Sequence, residues 1–137
     1  MASIKDELPA PAALSNDLTA TCHCGRVRVK IPQKPTKLNQ CHCTVCYKYG
    51  AMWAYYEPAQ ISVSVDQGGE VVSYGRQDMG ENRVPHNVFN FCGHCGCVTH
   101  WSRLPGYKGR ASNKMGVNCR MLPEKAIEGI AREISYC

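Results

Sequence analysis

The sequence predicts a mainly β fold of short antiparallel strands pinned by metal, and three observations predict it. Apolar and polar residues alternate with a period of two in several separate segments, as in Val27-Val29-Ile31 and Ile61-Val63-Val65. Pro32, Pro35, Pro58 and the Gly68-Gly69 pair interrupt the chain at short intervals, which leaves little room for long helices. Ten cysteines, eight of them in three tight groups, supply cross-links that hydrogen bonding between short strands does not.

Residues 1–18 are rich in Ala, Pro and charge without sustained periodicity, so a flexible arm is expected ahead of one domain over 19–137. Val27, Val29 and Ile31 alternate with Arg28 and Lys30 in a half-buried strand that Pro32 and Pro35 end. Residues 41–49 read as a compact turn, and residues 51–56 as a buried strand closed by Pro58. Ile61, Val63 and Val65 alternate with Ser62 and Ser64, and Gly68-Gly69 then turns the chain into Val71, Val72 and Tyr74. A polar loop over 75–85 leads to an extended run at Val88, Phe89 and Phe91, and residues 98–101 resume it after the third cysteine group. Residues 104–113 read as loop and 115–118 as a short strand. The tail admits two readings. Ile127, Ile130, Ala131 and Ile134 match helical spacing after Pro123, whereas Gly129 weakens a helix and splits the same residues into a turn and a strand.

A length of 137 residues suits one core rather than two, and 44% hydrophobic with 20% charged residues excludes a disordered chain. No apolar run approaches the roughly eighteen residues of a membrane span, so no membrane association is expected. The first seventeen residues lack both a basic leader and a long apolar stretch, and the expected location is cytoplasmic. In a reducing compartment ten cysteines point to metal ligation rather than disulfides. The formal charge of +5 falls to about +2 if seven thiolates hold two Zn²⁺ ions. Between Thr21 and Gly50 stand six basic residues and no acidic one, read here as an offset to thiolate charge. A nucleic-acid partner is not expected, because no aromatic-studded module motif accompanies these cations.

A structural zinc takes four ligands, commonly two from each of two distant turns. Cys22 and Cys24 form one pair, and Cys92-Gly93-His94-Cys95-Gly96 forms a knuckle whose glycines let backbone amides turn toward the thiolates. That pairing leaves Cys41-His42-Cys43-Thr44-Val45-Cys46 with three thiolates and an open fourth position, the form of a catalytic zinc. The alternative adds Cys97 as a fourth ligand and closes the second site: two residues after Cys95, it faces the same side in an extended strand. Cys119 and Cys137 read as a buried small residue and a free terminal thiol.

These segments resemble the glutathione-dependent formaldehyde-activating enzymes and their relatives, which include centromere protein V. The resemblance covers most of residues 18–122 and rests on Cys22-His23-Cys24-Gly25, on residues 41–48 and on Phe91-Cys92-Gly93-His94-Cys95-Gly96. Gly116-Val117-Asn118 before Arg120 is similar to the family's closing Asn-Val-Arg stretch. The resemblance implies a β-tent fold, a structural zinc on Cys22, Cys24, Cys92 and Cys95, and a catalytic zinc on Cys41, Cys43 and Cys46. It also implies a carbon-sulfur lyase that joins glutathione to formaldehyde, or releases it. Two positions depart from the family pattern: Cys97 replaces the usual Thr or Ser, and Tyr47 replaces an Arg.

Zinc on three thiolates carries a net charge of about −1 and is a weak Lewis acid toward water, but an incoming thiol can fill its fourth position and lose its proton. The resemblance implies that this thiol is glutathione, or a larger glutathione conjugate, acting together with a small aldehyde. Lys48, Arg26 and Arg28 are the nearest cations in sequence for its carboxylates, with Lys48 foremost. Trp53, Tyr55 and Tyr56 are candidates for a pocket wall, while His23 and His42 are expected to point away from the metals. The rival expectation is a non-catalytic zinc module that binds a protein.

Overall fold

The structure, a computed structural model, describes residues 17–78, 87–104 and 113–136. The expected arm therefore lies outside the described residues except at its end, as do most of the loops over 79–86 and 105–112, His86 and Cys137. Ten strands are described: β1 (Thr19–Thr21), β2 (Val27–Lys30), β3 (Lys37–Cys41), β4 (Trp53–Tyr56), β5 (Ser62–Val65), β6 (Val71–Gly75), β7 (Asn87–Cys92), β8 (Val98–Arg103), β9 (Met115–Asn118) and β10 (Ala131–Ser135). One short helix, α1 (Thr44–Tyr49), follows β3. The fold is mainly β, and among the described residues no helix is long and apolar enough to cross a membrane.

The strands form a three-stranded sheet in the order β1-β2-β5 and a seven-stranded sheet in the order β10-β3-β4-β9-β8-β7-β6. Alternation of side chains gives the larger sheet two different faces. Leu38, Ala54, Tyr56 and Val117 point to one face, where they pack with Ala20 and Val29 of the small sheet and with Leu122, Ala126 and Ile127. Trp53, Phe89 and Trp101 point to the other, where they pack with Cys41 and Cys46. The β-bulge at Asn90/Phe91 shifts register between β7 and β8 just before the third cysteine group.

Three points differ from the expectation. The strands are not all antiparallel: β10 lies parallel to β3, from Ala131 opposite Lys37 to Ser135 opposite Cys41. A parallel neighbour needs a crossover, and the connection from Cys119 to Ile130 supplies it by running through the core at Cys119, Leu122, Ala126 and Ile127. The tail is thus a 3-10 turn (Glu124–Ile127) and a strand, the second of its two readings. The expected turn at Gly68-Gly69 is present, with Gly69 N–H donating to Asp66 O at 2.8 Å, and it carries the chain between sheets, because β5 pairs with β2 in the small sheet and β6 with β7 in the large one. Finally, residues 44–49 are helical rather than turn, and β3 escapes the pattern because only Leu38 and Cys41 of its five residues are apolar.

Asn118 fastens the centre of the large sheet. Its Oδ1 accepts from the amides of Met52 and Arg120, each at 3.2 Å, and its Nδ2 donates to Val98 O at 2.8 Å. Gly116, opposite Trp101, is a glycine for lack of room: a Cβ there would lie 2.0 Å from Trp101 Nε1. Gly116→Ala is expected to cost about 1–3 kcal/mol by forcing Trp101 off its position. Denaturant unfolding of the metal-loaded protein measures the cost, and an unchanged midpoint would contradict this packing.

Candidate metal centres

The first cluster joins the two sheets. Cys22 follows β1 and Cys24 lies in the turn to β2, whereas Cys92 ends β7 and Cys95 lies in the turn to β8. Their four sulfurs lie within 4.8 Å of one another, with Cys22–Cys24 at 3.7 Å and Cys24–Cys92 at 3.6 Å. A tetrahedral ion with metal–sulfur bonds of about 2.3 Å requires sulfur–sulfur edges of about 3.8 Å, so the donor set fits a four-thiolate zinc. Backbone amides already face the sulfurs: Val27 N–H donates to Cys22 Sγ at 3.3 Å, and the amides of His94 and Cys95 donate to Cys92 Sγ at 3.3 and 3.5 Å. Gly25 and Gly96, each directly after the second cysteine of its pair, take φ +87° and +82°, a conformation that closes both knuckles and suits glycine.

Charge at this cluster is shared unevenly. Burial opposes ionisation of Cys95, yet the amides of Cys97 and Cys24 and the adjacent thiols outweigh it and bring the thiol down to about 5. Burial pushes Cys22 up to about 11. Arg26 lies against Cys24 and favours its thiolate, first through its backbone amide and then through its side chain.

The second cluster sits where β3 passes into α1. Cys41 ends the strand, Cys43 caps the helix by accepting from Cys46 N–H at 3.4 Å, and Cys46 lies in the first turn. Their three sulfurs also lie within 4.8 Å of one another. Cys97 joins neither group. Gly96 turns the chain, so the extended spacing that would align Cys97 with Cys95 is lost, and Cys97 packs beside Cys22, Cys92 and Cys95 of the first cluster.

Two side chains support thiolates here. Trp53 Nε1 is buried with no partner at hydrogen-bonding distance, and it approaches Cys46, whose ionised form it favours against a burial that pushes that thiol up. A buried N–H left unmatched costs roughly 1–3 kcal/mol, so the site fits an ionised, metal-bound sulfur better than a neutral thiol. Arg76, beyond β6, lies beside Cys43 and is held by Asp78 Oδ1 at 2.8 Å and Thr44 Oγ1 at 3.0 Å.

A pocket of about 100 Å³ opens onto Cys41 and Cys46, lined also by His42, Tyr47 and Arg120. Arg120 Nε donates to Gly50 O at 2.9 Å, which leaves the terminal guanidinium nitrogens for a ligand. Lys48 lines a different cavity, of about 280 Å³, with Thr44, Val45, Tyr74 and Asp78. Arg26 stands at the first cluster and Arg28 pairs with Asp66 and Gly25 O, so neither lines the pocket at the second. Tyr55 and Tyr56 border a third cavity, of about 270 Å³, together with Trp53. Sequence reasoning missed Arg76 and noted Arg120 only as part of the family's closing stretch, without a site role: neither is near the second cysteine group in the chain, and the fold brings them there.

Trp53→Phe keeps the ring and removes the N–H. Metal affinity at the second cluster is then expected to fall about tenfold, with the first cluster unchanged. Competition with a chromophoric chelator measures both, and equal affinities in the two proteins would contradict a Trp53–thiolate contact.

Residues 17–129 match the family described as glutathione-dependent formaldehyde-activating enzyme. No functionally curated protein matches the chain. Among solved structures, a crystallised protein of Rhodobacter sphaeroides is similar, with a TM-score of 0.61 and 21% identity over 84% of this chain and 99% of the other, a likeness of fold. The family match spans both cysteine clusters and Arg120, the groups that the fold gathers from distant strands, and the chain therefore belongs to the glutathione-dependent formaldehyde-activating enzyme family.

Proposed function

We propose that the chain is a zinc-dependent carbon-sulfur lyase that forms or cleaves adducts of glutathione, with S-hydroxymethylglutathione as the simplest. The observation that carries this reading is the pocket over Cys41 and Cys46, beside a cluster that offers three sulfurs where the first offers four. Cys22, Cys24, Cys92 and Cys95 would hold a structural zinc, and Cys41, Cys43 and Cys46 a catalytic one. When bound there, zinc supplies a position at which a thiol with a free pKa of about 8.5 is deprotonated near neutrality while remaining nucleophilic. In the synthetic direction the carbon–sulfur bond forms as the carbonyl π bond breaks, and the oxygen takes a proton.

The chain's own residues do the rest. Trp53 N–H and the Arg76 guanidinium stabilise the ligating thiolates Cys46 and Cys43. Arg120, anchored on Gly50 O, presents its remaining donors to a carboxylate of the tripeptide. Lys48, across α1 in the neighbouring cavity, is the candidate for the second carboxylate. The buried side chains Trp53, Phe89 and Ala51 behind the cluster exclude water from its inner side.

Calorimetric titration of glutathione into zinc-loaded protein, in buffers of different ionisation enthalpy, is expected to show release of about one proton near neutral pH. Arg120→Ala is expected to weaken binding about tenfold without changing that proton count. Absence of binding at millimolar glutathione would contradict the enzyme reading and favour a non-catalytic zinc module.

A further inference from the structure

The pocket over Cys41 and Cys46 has two unlike walls. Arg120 and the backbone of Gly50 make one polar and cationic. The other is aromatic: His42 and Tyr47 line it with their rings 5.2 Å apart at 74°, and Tyr136, beyond the lining, meets the same His42 ring at 5.3 Å and 83°. Tyr47 is 65% exposed and Tyr136 77%, so the two rings are held by their contact with His42 while much of their surface remains open. The backbone fixes this arrangement too, since His42 N–H donates to Ser135 O at 2.6 Å and thereby fastens the end of β10 to the loop that carries Cys41 and Cys43.

Aromatic surface this exposed gains free energy when a ligand covers it, and preoriented aromatic edges and faces favour another flat ring. A hydroxymethyl group places a single carbon beyond sulfur and leaves this wall unused. We propose that the centre takes glutathione adducts whose sulfur carries a flat apolar substituent, an aryl or arylalkyl carbon, with Tyr47 and Tyr136 as specificity-determining residues. The peptide part then lies toward Arg120 and the substituent toward the tyrosines. This inference rests on the glutathione reading above.

Its test compares S-benzylglutathione with S-methylglutathione and glutathione, titrated calorimetrically into the zinc-loaded full chain. The wild-type protein is expected to bind the benzyl conjugate about tenfold more tightly than the methyl one, a ring-stacking preference. Tyr136→Ala and Tyr47→Ala are expected to reduce that ratio to about threefold or less, whereas Tyr136→Phe, which keeps the ring, retains it. Both positions are exposed, so the variants should fold. A ratio near one in the wild type, or a ratio untouched by both alanine variants, overturns the proposal and leaves the glutathione reading standing. Failure of all three ligands to bind overturns both.

Discussion

The structure turns on four sulfurs that meet between its two sheets. The small sheet has three strands of three or four residues, and such short ladders are marginal on their own in water. Cys22 and Cys24 belong to its first turn, while Cys92 and Cys95 belong to the β7–β8 turn of the large sheet. An ion at their meeting point would join segments about seventy residues apart and close a loop that hydrophobic burial alone would otherwise have to close. The apolar core between the sheets, from Ala20 and Val29 to Leu38 and Val117, then packs against a fixed partner.

The second cluster depends on that frame rather than contributing to it. Its three cysteines come from one stretch of six residues, so it stabilises no distant pairing, and its local geometry follows from a strand end and a helix cap. What makes it a chemical site arrives from elsewhere. β4 brings Trp53 to the back of Cys46, the end of β6 brings Arg76 to Cys43, and Asn118 sets the turn from which Arg120 reaches the α1 cap. The physical difference between the two is plain: four sulfurs meet between the sheets, and three sulfurs meet beside a pocket.

The same division explains what was legible in the sequence. Cysteine spacing within a turn is local information, so the knuckles and their grouping can be read before any fold is known. The strands with period-two alternation can be read as well, because half-burial imposes that pattern. β3 cannot, because Lys37–Cys41 shows almost no alternation, and its parallel partner β10 is legible only as one of two readings, since it carries Arg132 and Glu133 on a sheet edge where nothing demands apolar residues. The α1 helix is hidden because cysteine spacing that serves a metal also fits a turn. The site roles of Arg76 and Arg120 are hidden for a different reason, since an arginine beside a thiolate differs from a surface arginine only in what the fold places next to it.

The central claim is that the two clusters differ by one ligand and that glutathione supplies the missing one. Cadmium NMR of the protein loaded with two cadmium ions addresses it directly, because the shift reports the number of bound sulfurs at each ion. The account predicts two resonances, one in the four-sulfur range and one in the three-sulfur range, with glutathione moving only the second, into the four-sulfur range. Two four-sulfur resonances before glutathione is added, or a three-sulfur resonance that glutathione leaves in place, would contradict it.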